Sequence, residues 1–508
     1  MLTIIKSLAL NGLDSYIVRV EVDVSNGLPC FELTGLPDAA IREAKDRVRT
    51  AIKNSGFEFP ARRITVNFAP ADLKKEGPVY DLAIALGILA STEQTDPGLT
   101  NGYIFIGELS LDGSIRGVNG VLPRVSKLPA DGCNSVAVPA ENADEAALIK
   151  NINVYPCLNL NQLILHLQNI EPISPHEVDV QKFWTGNTVT SNMSEVQGQF
   201  TVKRGLEVAA AGGHNVLMLG SPGSGKTMLA RRLPGILPPL TLGEALEVTN
   251  LYSLAGQLQP GKPLISERPF RSPHHNTSTS ALVGGGKYPK PGEISLAHLG
   301  ILFMDEAAEF RRDALEALRQ PLEDGLVTIS RVHTSITYPA QIMLIASMNP
   351  CPCGFLGDPE RECICTPTQI RRYLNRLSGP LLDRFDIQLD VPRLSFNDLE
   401  NNVTGESSEV IRERVQEART SQRLRFSQDM CNADMSPTQL KKFCRLNKES
   451  TELLRTAFST LKLSARAHNK IIKVSRTIAD LAGSSEILAE HVAEAILYRG
   501  MEKKYWTC

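Results

Sequence analysis

Long apolar runs are missing from this 508-residue chain, and none approaches the ~18 residues that a transmembrane helix needs. Its first residues, Met1-Leu2-Thr3-Ile4-Ile5-Lys6, lack the apolar core and small-residue cleavage site of a signal peptide. A cytoplasmic protein with no membrane partner is therefore expected. Excess charge of either sign is also missing. With 54 Lys and Arg against 56 Asp and Glu, the net charge is −2, so nucleic-acid binding would have to come from local basic loops. Cysteine is sparse outside one stretch. Cys30, Cys133, Cys157, Cys431, Cys444 and Cys508 are scattered and, in a reducing compartment, read as structural thiols. What remains is ordinary: 42% apolar and 22% charged residues describe a globular protein. The length calls for about two to four domains.

The first ~170 residues read as one α/β domain. Alternation through Ile17, Val18, Val20, Val22 and Val24 marks strands and hairpins up to residue 34. Pro37-Asp38 opens an amphipathic helix to about Asn54, with Ile41, Ala44, Val48 and Ile52 on one face. Arg63–Phe68 is a strand, Pro78–Ala90 a helix, and Tyr103–Leu109 with Gly113–Val118 a hairpin. Strand–helix units follow at Ser135–Ile149 and Val154–Leu167. This region resembles the proteolytic domain of Lon-type proteases, which places a catalytic Ser after a Gly-Pro pair and a Lys on the following element. Here Gly77-Pro78 is followed by Val79-Tyr80-Asp81, and Leu122 stands where the Lys is expected. Acyl transfer without a nucleophile and its base has no chemistry, so the domain reads as catalytically inactive.

Residues 171–194 are polar and aperiodic, a linker. Beyond them, Gly220-Ser221-Pro222-Gly223-Ser224-Gly225-Lys226-Thr227 reads G-x-x-x-x-G-K-T. It lies between the apolar run Asn215–Leu219 and the helix start Met228–Leu233, which is the strand–loop–helix context a phosphate-binding loop requires. The loop amides and the helix N-terminus suit phosphate oxygens. Lys226 suits the β- and γ-phosphates of ATP, and the Thr227 hydroxyl suits Mg²⁺. In Gly300–Glu306 an apolar strand ends in Asp305 and Glu306. Asp305 suits the Mg²⁺ shell, and Glu306 suits polarisation of the attacking water. In Ile342–Asn349 another apolar strand has a polar tip. After about Leu394 the chain turns helical, over approximately Ser407–Phe426, Ser436–Phe443, Lys448–Leu461, Ala465–Ala482 and Ala489–Leu497.

That order resembles AAA+ ATPases: a P-loop core with a parallel sheet and flanking helices, then a helical lid. The resemblance implies that Val196–Gln199 approaches the adenine and that Asn349 is the sensor-1 residue. It also implies that Arg384, before Phe385-Asp386, is an intersubunit finger, with Arg376 as second choice, and that Arg466 is sensor 2. Gly220–Thr227, Ser272-Pro273-His274-His275, Gly300–Glu306, Ser347–Gly354 and Leu377–Asp386 together resemble the bacterial YifB/ComM family of magnesium-chelatase-like AAA+ proteins, across essentially the whole chain. That implies a Lon-like domain (1–170), a linker (171–194), a chelatase-like ATPase domain (195–395) and a helical C-terminal domain (396–508). It further implies a hexameric ATP-driven DNA motor, a helicase for branch migration during recombination and natural transformation, with recombination proteins as further partners. Two inserted segments, about Leu264–Ser295 and Gly325–Pro339, occupy the pore-loop places of chelatase-type rings. Their Lys287, Lys290, Arg331 and His333 are candidates for gripping phosphates of single- or double-stranded DNA.

Cys351-Pro352-Cys353 and Cys363-Ile364-Cys365 concentrate four thiols around a turn-like Gly357-Asp358-Pro359. Tetrahedral thiolate coordination suits structural zinc. Free thiols and an iron–sulfur cluster remain open. Three other functions stay open as well: a magnesium-chelatase subunit, an ATP-dependent protease, and an assembly scaffold that uses ATP as a switch.

Overall fold

The computed structural model describes residues 2–128, 134–184, 191–286, 289–331, 334–393, 405–461 and 463–506, with the backbone alone for Arg331, Thr334, Glu502 and Lys503. Lys287 and His333 lie outside the described residues. Contacts divide the chain into two compact units, Met1–Thr185 with Ala245–Ile265, and Gly186–Glu244 with Ser266–Cys508.

In the first unit, β1 (Leu2–Asn11) and β2 (Asp14–Ser25) form an antiparallel hairpin. Its tight turn uses Gly12 at φ 67°, a left-handed conformation that costs glycine little. With β3 (Cys30–Thr34) and β4 (Arg63–Ala69) they make a four-stranded sheet of order β1-β2-β4-β3. Strand alternation places Val18, Val20, Val22, Ile64, Val66 and Phe68 in the core. The Ala39–Asn54 helix starts where the Asp38 carboxylate accepts the Ile41 N–H at 2.9 Å, an N-cap. The Asp81–Ser91 helix is buried on every side, and a Cβ on its Gly87 would stand 2.4 Å from Val22. Asp81 is paired with Arg47 at 2.9 Å, and burial pushes its pKa up to about 6. Leu122 is fully buried, and its N–H donates to Glu145 at 2.8 Å.

The expected hairpin over Tyr103–Val118 is only half present. β6 (Glu108–Leu109) and β7 (Ile115–Arg116) pair antiparallel. β5 (Tyr103–Phe105) instead runs parallel to β8 (Ser135–Pro139), which pairs with β9 (Asn153–Cys157). Ile104 and Phe105 are fully buried, and a continuous apolar run suits a parallel sheet covered on both faces better than a two-sided hairpin.

The second unit is built on a five-stranded sheet. It comprises β10 (Val216–Leu219), β11 (Phe270–Arg271), β14 (Ile301–Met304), β17 (Met343–Met348) and β18 (Ile387–Asp390). The order is β11-β14-β17-β10-β18, and every pair is parallel. The three central strands are wholly buried, as parallel strands covered on both faces are. Two hairpins sit between these strands: β12 (Gly284–Gly285) with β13 (Lys290–Pro291), and β15 (Leu326–Arg331) with β16 (Thr334–Pro339). The Phe200–Gly212 helix packs its Gly205 so close to β18 that a Cβ there would meet Leu389 at 2.4 Å. Helices Ser408–Phe426, Pro437–Phe443, Lys448–Leu461, Ala465–Leu481 and Ala489–Leu497 complete the unit. They share one apolar core with the sheet, running through Val216, Ile345 and Leu389 to Val415, Ile471 and Val492. No helix among the described residues is long and apolar enough to cross a membrane.

Candidate functional site

Parallel strands deliver their loops to one edge of a sheet, and ligands collect at the carboxyl ends of such strands. β10, β14 and β17 are registered side by side, Leu219 opposite Met348 and Met304 opposite Ala346. Gly220–Gly225, Asp305-Glu306 and Ser347–Asn349 therefore meet at that edge. Gly223 and Gly225, at φ 79° and 91°, take left-handed backbone that other residues resist. Lys226 and Thr227 then open the Lys226–Arg232 helix.

The Lys226 ammonium donates to the carbonyls of Gly220 (2.7 Å) and Ser221 (2.9 Å) and to Asn349 Oδ1 (3.3 Å). Burial lowers its pKa to about 8, against the opposing pull of Asp305 and Glu306. The Thr227 hydroxyl donates to Asp305 Oδ2 at 2.7 Å. Ser347 Oγ donates to the other oxygen of Asp305 and accepts the Glu306 N–H at 3.3 Å. Glu306 sits at φ 51° where strand turns to loop, an uncommon conformation for a non-glycine residue. Its carboxylate is 57% exposed and lies 3.7 Å from His275 Nδ1, whose ring lies tilted against that of His274 with centroids 4.1 Å apart. A hydroxyl beside a carboxylate is a hard-oxygen pair that fits Mg²⁺. An exposed carboxylate next to it is free to take a proton from water. Gln199 Nε2 donates to Pro392 O at 2.7 Å and Ser224 O at 3.4 Å, which ties the approach segment to the phosphate loop.

Two basic residues are not brought to this edge. β18 enters the sheet where the Asp386 N–H donates to Asn215 O at 2.9 Å, and Asn215 Nδ2 donates to Arg384 O at 3.2 Å. Asn215 precedes β10, whereas the phosphate loop follows it, about 16 Å away at ~3.3 Å per residue. Arg384 donates instead to Glu323, and its Nε is buried without a hydrogen-bond partner among the described residues. Arg466 lies at the same far end as Arg384, 3.5 Å from Asp383 and 61% exposed. Arg376 donates to Ala308 O at 2.9 Å and Glu309 at 2.7 Å.

The far edge is held by an ionic knot. Buried Asp386 accepts from Lys470 at 2.6 Å and faces His214 Nδ1 at 3.3 Å. Burial alone would raise its pKa, but Lys470 and His214 outweigh that and hold the carboxyl far below the usual range. Asp386→Ala strands the Lys470 charge and should cost about 3–5 kcal/mol of stability, the usual penalty for breaking a buried pair. Urea unfolding checks it, and a loss under about 1 kcal/mol, the exposed-pair value, would show the pair to be solvent-screened.

The four clustered thiols converge. Cys351 Sγ lies 3.4 Å from Cys353 Sγ and 3.6 Å from Cys363 Sγ, and the last two are 3.6 Å apart. All four sulfurs fall within 4.8 Å of one another. A tetrahedron with Zn–S bonds of about 2.3 Å has sulfurs about 3.8 Å apart, so the donor set fits zinc. The loop between the pairs reaches the phosphate loop, where Ser221 Oγ donates to Asp358 at 2.6 Å.

The two hairpins lie against each other. Tyr338 OH donates to Pro289 O at 2.7 Å, and a Cβ on Gly284 would stand 2.7 Å from Ile329. Lys290 is exposed on one of them, and Arg331 ends β15. Sequence reasoning missed Ser347, His275 and Asp358 as site residues. Ser347 was detectable as a polar residue at the end of a strand otherwise wholly apolar. His275 had only its place in the Ser272-Pro273-His274-His275 motif as a signal, and for Asp358 only a contact distant in sequence gives one.

Three family models match. Residues 192–399 match magnesium chelatase, subunit ChlI, residues 20–142 match subunit ChlI of Mg-chelatase, and residues 405–499 match the subunit ChlI C-terminal model. The chain is 45% identical over 504 residues to competence protein ComM of Haemophilus influenzae, covering 98% of each. It is 43% identical over 505 residues to YifB of Escherichia coli, covering 99% of this chain and 98% of the relative. A weaker likeness, 26% over 167 residues, links it to Lon protease 2 of Bacillus subtilis, covering 30% of this chain and 29% of that protein.

Proposed function

This chain belongs to the ComM/YifB family of magnesium-chelatase-like AAA+ ATPases, and on that premise we propose that it is an ATP-driven DNA motor working as a hexameric ring. One observation carries the reading: Lys226, Thr227, Asp305, Glu306 and Asn349 meet at one edge of the sheet, while Arg384 and Arg466 sit at the other. A site of this class needs an arginine on the transferring phosphoryl group. A chain that carries its arginine on the opposite edge serves a neighbour's nucleotide and not its own.

ATP sits on the Gly220–Gly225 amides, with Lys226 on its β- and γ-phosphates. Thr227 and Asp305 would hold Mg²⁺, which would supply neutralisation of charge on those phosphates. Glu306 orients and deprotonates the attacking water, and Asn349 aligns it. Arg384 of a neighbouring copy, with Arg466 beside it, stabilises the charge that spreads over the phosphoryl oxygens. The paired hairpins carrying Lys290 and Arg331, together with Lys287 and His333 of the same inserted segments, follow DNA phosphates as the ring steps. Contacts of that kind are salt-dependent and blind to sequence. The Lon-like domain, with Asp81 in an ion pair and Leu122 in the core, serves assembly or docking without peptidase chemistry. We also infer one zinc per chain on Cys351, Cys353, Cys363 and Cys365. The relative's name ties it to competence, and a branch-migration role in recombination during transformation fits that tie, with recombination proteins as partners and the cytoplasm as location.

The deciding experiment measures ATP turnover with and without single-stranded and branched DNA, alongside strand displacement on a synthetic junction. Stimulation of turnover together with ATP-dependent displacement is expected. Rings that hydrolyse ATP but ignore both DNAs would favour a chelatase-type remodeller, and rings that bind ATP without turnover would favour an ATP-switched scaffold.

A further inference from the structure

The four-cysteine loop does more than close on itself. It begins directly behind the site, since Cys351 follows Asn349 by two residues and is fully buried. The Cys353 N–H donates to Cys365 Sγ at 3.4 Å, which brings the second pair back under the first. At the turn after the first pair, Gly354 has φ 86°, and a Cβ there would stand 2.5 Å from Pro222 Cδ. The turn thus lies in contact with the phosphate loop, where no side chain fits. Between the pairs, Asp358 uses one carboxylate oxygen to accept the N–H groups of Glu360 (3.0 Å) and Arg361 (3.1 Å) and the other to accept Ser221 Oγ (2.6 Å). The opposite side of the phosphate loop is also walled, because a Cβ on Gly220 would meet Val391 O at 2.3 Å. The loop that must wrap a nucleotide's phosphates is therefore pressed between the end of β18 and the cysteine loop.

A phosphate loop works through fixed amide directions, and a loop already held in the binding conformation loses less entropy on binding. A fifteen-residue segment with little regular structure is a poor brace unless something stiffens it. Among the described residues, four convergent thiolates on one metal are the device available for that. We propose that the zinc centre is a brace for the phosphate loop, with Asp358 as the positioning residue that transmits it to Ser221, so that metal loading sets nucleotide affinity. This deepens the nucleotide-site and zinc readings above and rests on both. Zinc does no chemistry on ATP here. It keeps the Cys351–Cys365 loop in the one shape that places the Asp358 carboxylate against the Ser221 hydroxyl.

The test uses full-length protein, metal analysis and a fluorescent ATP analogue, with parent, Ser221→Ala, Asp358→Ala and the double variant compared. Zinc near one per chain and parent-like melting are expected in all four. Each single variant should bind the analogue about tenfold more weakly, the factor for one hydrogen bond to a charged group. The double variant should be no weaker than either single, because both remove the same contact. A Cys363→Ser/Cys365→Ser protein should lose zinc and at least the same factor in affinity. Zinc present with affinity within twofold of parent in both single variants would overturn the brace and leave the zinc reading standing. Single effects that multiply in the double variant would overturn the transmission through Asp358. Parent protein without zinc would overturn the metal centre, and a parent that binds no analogue would overturn the nucleotide site itself. These failures are distinguishable from one another.

Discussion

Lys226→Ala will lower ATP turnover by on the order of 10³ or more while leaving the fold as stable as the parent, or slightly more so. In the proposed site the ammonium is the charge that meets the β- and γ-phosphates. Losing one preorganised charge-stabilising donor costs about 10²–10³ in rate on its own. Its second role, binding the ground-state phosphates, adds to that. Stability moves the other way for a specific reason. Burial lowers the Lys226 pKa to about 8, so its charge is held in the protein at a cost, partly offset by the carbonyls of Gly220 and Ser221. A methyl group in its place removes the cost together with the bonds, as when buried ion pairs are exchanged for apolar residues. Steady-state turnover and thermal melting of the same preparation check both halves. Turnover within tenfold of parent, or a large drop in melting temperature, would show that Lys226 is a structural residue.

Arg384→Ala has the second large expected effect and a different signature. Turnover should fall by about 10³, the lower end of what trans arginines contribute in P-loop enzymes. Nucleotide affinity should stay within about tenfold, because the residue acts on charge that develops in the transition state. The competing explanation is that Arg384 simply pairs with Glu323, whose side chain is 64% exposed. A half-exposed pair contributes about 0–1 kcal/mol to stability. If that were its whole role, Glu323→Ala and Arg384→Ala would be equivalent, and both would turn over ATP at nearly the parent rate. The finger reading expects them to differ by orders of magnitude. It also expects the buried Arg384 Nε, which has no hydrogen-bond partner among the described residues, to find one at a neighbour's nucleotide.

The nucleotide site was legible because its chemistry dictates spacing. Glycines are needed at the turn, Lys-Thr at the helix start and acids at the end of an apolar strand. None of those requirements depends on the rest of the fold. The N-terminal helix was legible from Asp38 and the Ile41–Ile52 face for the same local reason. What could not be read was set by partners far along the chain. Tyr103–Phe105 has the composition of a hairpin arm, yet its partner is Ser135–Pro139, some thirty residues on. Ala245–Ile265 follows the phosphate-loop helix in sequence but belongs to the first unit, where Ser253 donates to Glu145; nothing in its apolar helix pattern indicates which core it joins. Asp358 looked like a turn residue, which it also is. Its contact with Ser221 spans 137 positions and appears only when the cysteine loop folds back. Arg384 and Arg466 are candidates by resemblance alone, and their place on the far edge of the sheet became apparent only with the strand order in hand.

A nucleotide shared between adjacent copies is the claim on which the rest depends, and complementation tests it most directly. Lys226→Ala protein supplies intact arginines but no working phosphate loop, and Arg384→Ala protein supplies the reverse. Each alone should be nearly inactive. Mixed under conditions where copies exchange, they should regain turnover, because some interfaces then join an intact phosphate loop to an intact arginine. A mixture that assembles into rings and stays as inactive as its components would contradict the account.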